Sequence, residues 1–304
     1  MTRAELADLV RRAALGVLGD PAHPPAPLLD DVPLRAPLEA GVDYSTSLAL
    51  CLAGPAGVPA PRLAARLAQA VTGPDVTAAV AGPGFVNLTL SDRARSRVVD
   101  AAFDLPPLPA VDSGDTRPEL VAAALARLGT DADGVVVGPA TSTGGVERDS
   151  LRFALLATPA ADPVVVDPAV WGPRLPANPA FAARHAHARA AGALRAARDL
   201  RLTAATPGSA AVPPPDTLGL VRALADHRPA LGLAARLREP HRVARAAVEL
   251  AGATCALVDG GLILPRGDAD PDPTAPVRLL LCAAARHALA HALGVLGVDA
   301  PDRL

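Results

Sequence analysis

Apolar residues recur at helical spacing from the first turn of the chain. Leu6, Leu9, Val10, Ala13 and Val17 share one stripe behind a Thr2/Glu5 capping box, and Gly19 stops the run, so a helix is predicted first. Alternation at Val32, Leu34, Ala36 and Leu38 then predicts a strand. Segments 43–53 and 61–71 read as two helices parted by a Gly/Pro turn. Segments 76–80 and 85–90 read as strands on either side of Gly82-Pro83-Gly84. The mixture predicts an α+β domain over residues 1–103. Residues 104–146 read as a linker holding one helix at 118–128, one short strand at 135–137 and a polar join, ATSTGG, at 140–145. Five helices follow, at 148–156, 178–200, 217–226, 241–257 and 276–296, and predict an all-α bundle over residues 147–304.

The longest helical run, 178–200, begins Asn178-Pro179. Asn is a good N-cap, and proline in the first turn gives up only an N–H that would be an orphan there. Arg184, His187, Arg195 and Arg198 fall on one stripe of this helix, while Phe181, Ala188 and Ala191 offer another surface for packing. The stripe reads either as a solvated bundle face or as a ridge aimed at phosphates, since the guanidinium fork pairs two oxygens at once.

Composition narrows the chemistry. A chain of 304 residues, half of them hydrophobic, supports about two domains with real cores. Aromatics make up only 2%, which favours close helical packing on Ala, Leu and Val. There is no lysine: all 29 basic residues are arginine. Lysine Schiff-base chemistry, pyridoxal phosphate anchoring and a P-loop lysine are therefore excluded. Cys51, Cys255 and Cys282 lie far apart without CxxC spacing, so a reduced, cytoplasmic setting fits. The first 16 residues carry charges inside their apolar pattern, unlike a signal peptide. The apolar stretch 277–298 contains Arg278, Arg286, His287 and His291 and reads as a bundle helix rather than a membrane span. After residue 177 there are 15 arginines against 11 acids, and before it 14 against 20, which puts a polyanion partner on the C-terminal half.

Six ordered segments resemble bacterial arginyl-tRNA synthetase. DYSTSLAL (43–50) and AGPGFVNLTLS (81–91) resemble the family's N-terminal additional domain. RDSLRFALL (148–156) and NPAFAARHAHARAAGAL (178–194) resemble its DAxRYFLL and NPVYYVQYAHAR stretches, and EPHRVARAAVELA (239–251) and 278–304 resemble the closing helices of its DALR-type anticodon-binding bundle. The family's catalytic domain belongs between the GPGFVN strand and the RDSLRFALL helix, where only residues 91–147 stand. With no HxGH motif, and no lysine for a KMSKS-like loop, the resemblance implies a chain that is not an aminoacylating enzyme, with no catalytic residues and no cofactor.

In the family, the aromatic and the amide of GPGFIN read the D-loop at the tRNA elbow; the matching positions are Phe85 and Asn87, provided that Phe85 faces solvent rather than core. At the anticodon end Phe181, Ala182 and His185 stand in the tyrosine-bearing stretch, and Val258 and Asp259 stand where Tyr and Asn would be, so base reading is reduced there. What the resemblance leaves is electrostatic: Arg184, Arg189, Arg195 and Arg198 on the long helix, with Arg238, Arg242 and Arg245 at i, i+4 and i+7 on another. The expected partner is tRNA, or an RNA shaped like one, with neither DNA nor membrane. An alternative is a regulatory or protein-interaction module whose partner-binding surface is the old RNA face of the bundle. His185/His187 and His287/His291 invite a metal reading, but no HExxH, cysteine partner or nearby carboxylate completes either pair, and no metal is expected. A small new enzyme site around His185 and His187 is a third reading, to be judged by the polarity of their surroundings.

Overall fold

The computed structural model describes residues 1–19, 29, 32–37, 39, 41–142 and 144–304. Leu38 and Thr143, parts of the expected strand at 32–38 and of the polar join, lie outside the described residues, as does most of the proline-rich loop at 20–31. The chain divides into two compact units, Met1–Val98 and Val99–Leu304.

In the first unit, α1 (Arg3–Leu18) starts at the expected capping box: Glu5 N–H donates to Thr2 Oγ1, and Thr2 N–H donates to Glu5 Oε2 at 2.8 Å. β1 (Leu34–Arg35), β2 (Tyr44–Thr46), β3 (Val76–Ala81) and β4 (Phe85–Leu90) form an antiparallel sheet in the order β1-β2-β4-β3. Helices α2 (Leu48–Ala56) and α3 (Ala60–Val71) lie between β2 and β3 in the chain. The core joins Leu6 and Val10 of α1, Leu48 and Leu52 of α2, and Leu63 and Leu67 of α3 to Val76, Val86, Leu88 and Leu90 of the sheet. Val86, Leu88 and Leu90 point into it, so the pleat turns Phe85, Asn87 and Thr89 to the other face.

Segment 43–53 is not one helix. Tyr44, Ser45 and Thr46 pair with Leu88, Asn87 and Val86, and the helix begins only at Leu48. Asp43 decides this: fully buried, it accepts the Leu90 N–H at 2.8 Å and the Arg95 guanidinium at 2.8 Å. Two bonds from distant residues outweigh local helix preference, which is weak for Tyr, Ser and Thr. Arg95 sits on α4 (Asp92–Ala101), a helix the apolar pattern does not announce.

The second unit opens with α5 (Arg117–Arg127). β5 (Ala140–Ser142), α6 (Arg148–Leu156) and β6 (Val164–Val166) then make a β-α-β crossover with two parallel strands. The strand expected at 135–137 falls instead on 140–142, inside the segment read as a polar join. A tertiary contact selects the site: the Arg117 guanidinium, itself buried, donates to the carbonyls of Gly138, Leu155, Thr158, Pro159 and Asp162, holding both ends of the crossover. After the single-turn helix α7 (Pro168–Trp171) come α8 (Pro179–Asp199), α9 (Leu218–Leu237), α10 (His241–Asp259) and α11 (Ala275–Val295). α8 packs on α10 and α11 through Ala183, Ala186 and Ala190, all fully buried, and small side chains of this kind let helices approach closely. α9 runs past the expected stop at Asp226 and through Pro229, because Leu231 and Ala234 beyond the proline are buried in the bundle. Among the described residues no helix is long and apolar enough to cross a membrane.

Candidate nucleic-acid interface

Gly84 aims the first candidate surface. Its φ of +145° is open to glycine, and a Cβ there would lie 2.9 Å from Ala60 Cβ and 3.1 Å from Leu50 Cδ2. The turn is thus pressed onto the first residue of α3, and β4 leaves it with Phe85 on the face away from the core. Phe85 is 39% exposed, and its cross-strand neighbour is the small Ala81, so part of the ring is open to solvent. Asn87 follows on the same face, only 9% exposed, between Ser45 and Ala79. Its Nδ2 donates to Glu39 Oε2 at 2.8 Å, which fixes the amide and leaves Oδ1 as the group able to accept. The structure therefore brings Phe85 and Asn87 together on one strand face, two residues apart. The buried Asp43–Arg95 pair behind the sheet anchors β2 against β4.

The arginine stripe of α8 has a different setting from a free ridge. Asn178 caps the helix as expected, accepting the Ala180 and Phe181 N–H groups, while its own amide donates to the carbonyls of Trp171 and Pro173. Arg184 spans Glu147 at 3.0 Å and Asp149 at 3.2 Å and is largely covered. Burial raises the Asp149 carboxyl above its usual range, with Arg184 working against that rise. His187 is buried with Nδ1 2.9 Å from the Pro301 carbonyl, and Arg195 donates to the Asp302 carbonyl. Three of the four stripe residues are thus held by their own chain, His187 and Arg195 by the C-terminal residues and Arg184 by Glu147 and Asp149; Arg198, bonded among the described residues to the Leu194 carbonyl one turn back, remains exposed.

Beside that seam, Phe181 and His185 stack with centroids 5.2 Å apart and planes 13° off parallel. Arg189 continues the same stripe one turn on and binds Asp259 at 2.7 Å, a pairing that holds the carboxylate below its usual range. Arg238 is not on the helix of Arg242 and Arg245. It terminates α9 in a left-handed conformation, φ 55°, and reaches Asp131 at 2.8 Å, whereas α10 begins at His241. Arg242 pairs with Glu239, and Arg245 is exposed.

The histidines part company. His185 is spent on the Phe181 stack and His187 points into the bundle, an enclosed setting rather than a polar cleft. His287 stacks on Phe103, and His291 meets His227 edge-on at 6.0 Å. Among the described residues no group of three or more His, Cys, Asp or Glu side chains converges as a metal ion requires. The three cysteines are free thiols, and burial pushes Cys282 up to about 12, far from reactive.

Residues 4–90 match the arginyl tRNA synthetase N terminal domain family, and residues 183–304 match the DALR anticodon binding domain family. The chain thus carries two regions of these domain types, neither of them half of its length. The stretch 91–182 lies between the two matched regions. In solved structures, Thermus thermophilus arginyl-tRNA synthetase is similar at 23% identity and a TM-score of 0.41, over 52% of this chain and 26% of that one. A Campylobacter jejuni protein assigned as an arginyl-tRNA synthetase is similar at 15% identity and a TM-score of 0.43, over 52% of this chain and 33% of that one. The chain thus spans between a quarter and a third of the length of those two proteins.

Two groups of residues escape the sequence reading. Arg117 looks like any helix-opening arginine, and only the carbonyls gathered around it reveal its role. Arg62 and Arg66, one turn apart on α3, are exposed and have no ion-pair or hydrogen-bond partner among the described residues. A signal for them existed: between Asp43 and Asp92 the only charged residues are Arg62, Arg66 and Asp75.

Proposed function

We propose that this chain is a non-catalytic relative of arginyl-tRNA synthetase that binds tRNA, or an RNA shaped like it, in the cytoplasm. The observation that carries the reading is the partly exposed Phe85 ring beside the oriented Asn87 amide, on the outer sheet face of a domain whose family match runs through both. One base stacks on the ring, and the amide accepts from that base or its neighbour. The bundle adds charge through Arg189, Arg195, Arg198, Arg238, Arg242 and Arg245. Arg184 leaves this set, because two carboxylates already occupy its fork. Both matched regions are of non-catalytic domain types, and the absence of lysine supports a chain that does not form aminoacyl-adenylate with KMSKS-type lysines.

Equilibrium binding of unfractionated tRNA to the wild type and to Phe85→Ala tests the reading. Loss of the ring should weaken binding by about 5- to 150-fold, corresponding to roughly 1–3 kcal/mol of stacking. Absence of any binding at the lowest salt refutes it.

One observation favours a second reading, a protein-interaction module. Arg189, Arg238 and Arg242 of the bundle all hold carboxylates of their own chain, which blunts an RNA-facing field. Under that reading purified protein co-elutes with a protein partner after nuclease treatment and never with RNA.

A further inference from the structure

The RNA-binding reading above locates a base platform but no phosphate contacts beside it. We infer that Arg62 and Arg66 of α3 form an RNA-backbone subsite, holding phosphates of the strand whose base stacks on Phe85.

Position comes first. Gly84, the residue before Phe85, is in contact with Ala60, the first residue of α3, so the start of this helix and the base platform share one end of the first unit. Arg62 lies half a turn beyond Ala60, and Arg66 one turn beyond Arg62. Leu63, Ala64, Leu67 and Ala68 face the core, which leaves both arginines on the solvent side. Residues four apart on a helix place their Cβ atoms about 5–6 Å from one another, so the two forks form a short track instead of a single point.

Charge comes second. Arg11 and Arg12 bind Asp8, Arg95 binds Asp43, and Arg97 binds Asp75, so these cations of α1 and α4 are neutralised within the unit. Arg62 and Arg66 have no such partner among the described residues, and α3 contains no acid. Asp75, the one acid between residues 44 and 91, is already held by Arg97, whose hydrogen bond lowers its pKa. Glu39, next to the platform, is engaged by the Asn87 amide. Pro59 leaves the positive end of α3 without a side-chain cap, adding potential of the same sign. An arginine pair without an ion-pair partner among the described residues, at the same end of the unit as the base platform, fits a phosphodiester backbone whose bases turn toward the ring.

Counterion release separates the two parts of the site. The slope of log K against log salt is about −0.7 per phosphate for single strands. Arg62→Ala/Arg66→Ala should therefore flatten the slope for unfractionated tRNA by about 1.4, so that raising salt from about 50 to about 200 mM weakens the wild type roughly sevenfold more than the variant. Phe85→Ala should lower affinity at all salts with the slope unchanged, and Arg11→Ala/Arg12→Ala, which removes cations already bound to Asp8, should keep the wild-type slope. Circular dichroism of the α3 variant should match the wild type, since both side chains are exposed and neither is bonded among the described residues. A wild-type slope in Arg62→Ala/Arg66→Ala, with Phe85→Ala still weakened, overturns the subsite alone. No tRNA binding by the wild type at any salt removes the RNA reading, and the subsite with it.

Discussion

His227 gives the second unit a built-in acid sensitivity that Phe can remove. The ring is 2% exposed, and neither nitrogen has a hydrogen-bond partner among the described residues. His291 meets it edge-on, with His287 close by on the same helix, and burial first, then these two imidazoles, lower its pKa from 6.5 to about 3. A folded-state pKa below the unfolded one means that the unfolded chain binds the extra proton. This contribution to stability is therefore complete above about pH 6.5 and is lost as pH falls toward about 3. Each pH unit in that window costs about 1.4 kcal/mol, so the loss reaches about 2 kcal/mol at pH 5 and about 5 kcal/mol at the bottom. His187, His241 and His291 are also lowered by burial and act in the same direction, so the informative quantity is the difference between wild type and His227→Phe. Urea titrations from pH 8 to pH 4, followed by the fluorescence of Trp171, report this unit, because Trp171 is the chain's one tryptophan. At pH 8 the variant should be as stable as wild type or more so, since a buried polar ring without partners is replaced by an apolar one. Below pH 6 its stability should fall less steeply, by about 1.4 kcal/mol per unit. Parallel pH profiles would show that folded His227 takes up the proton and would refute the reasoning.

Arg117→Leu should destabilise the second unit by about 3–5 kcal/mol, as it strands carbonyls that now share a buried cation; unchanged urea midpoints by Trp171 fluorescence would count against its role as the clamp of the β-α-β crossover. Asp43→Ala should cost the first unit a similar amount, about 3–5 kcal/mol, by leaving the Leu90 N–H unmatched and the largely covered Arg95 guanidinium with only the longer contact to Asp92, and Tyr44, the one tyrosine, offers a local fluorescence probe. Gly84→Ala should lower stability by about 1–3 kcal/mol and weaken tRNA binding with it, because the side chain forces the turn off Ala60; a wild-type melting curve would refute the close contact.

Elements whose signal is local were legible. The capping box of α1, the Asn178 start of α8 and the β3-turn-β4 hairpin need only neighbours in sequence, and each stands within a residue or two of its expected place. The elements that moved are those chosen by distant partners. Tyr44–Thr46 became a strand because Asp43 is held by Leu90 and Arg95, and β5 formed at Ala140–Ser142 because Val164–Val166 lies beside it. α9 crossed Pro229 because burial beyond it outweighs one lost hydrogen bond.

The candidate site divides along the same line. The order of residue types alone determined the two domain kinds, the lack of catalytic lysines, and the place of Phe85 and Asn87 after a Gly-Pro-Gly turn. Only the tertiary structure decided which side chains are free to act, because exposure and pairing depend on residues far away in the chain. It turned Phe85 outward by giving the core to Val86 and Leu88, and it tied Arg184 to Glu147 and Asp149. It also left Arg62 and Arg66 without an ion-pair partner among the described residues, and an arginine that no carboxylate of its own chain already holds is the readier partner for a phosphate.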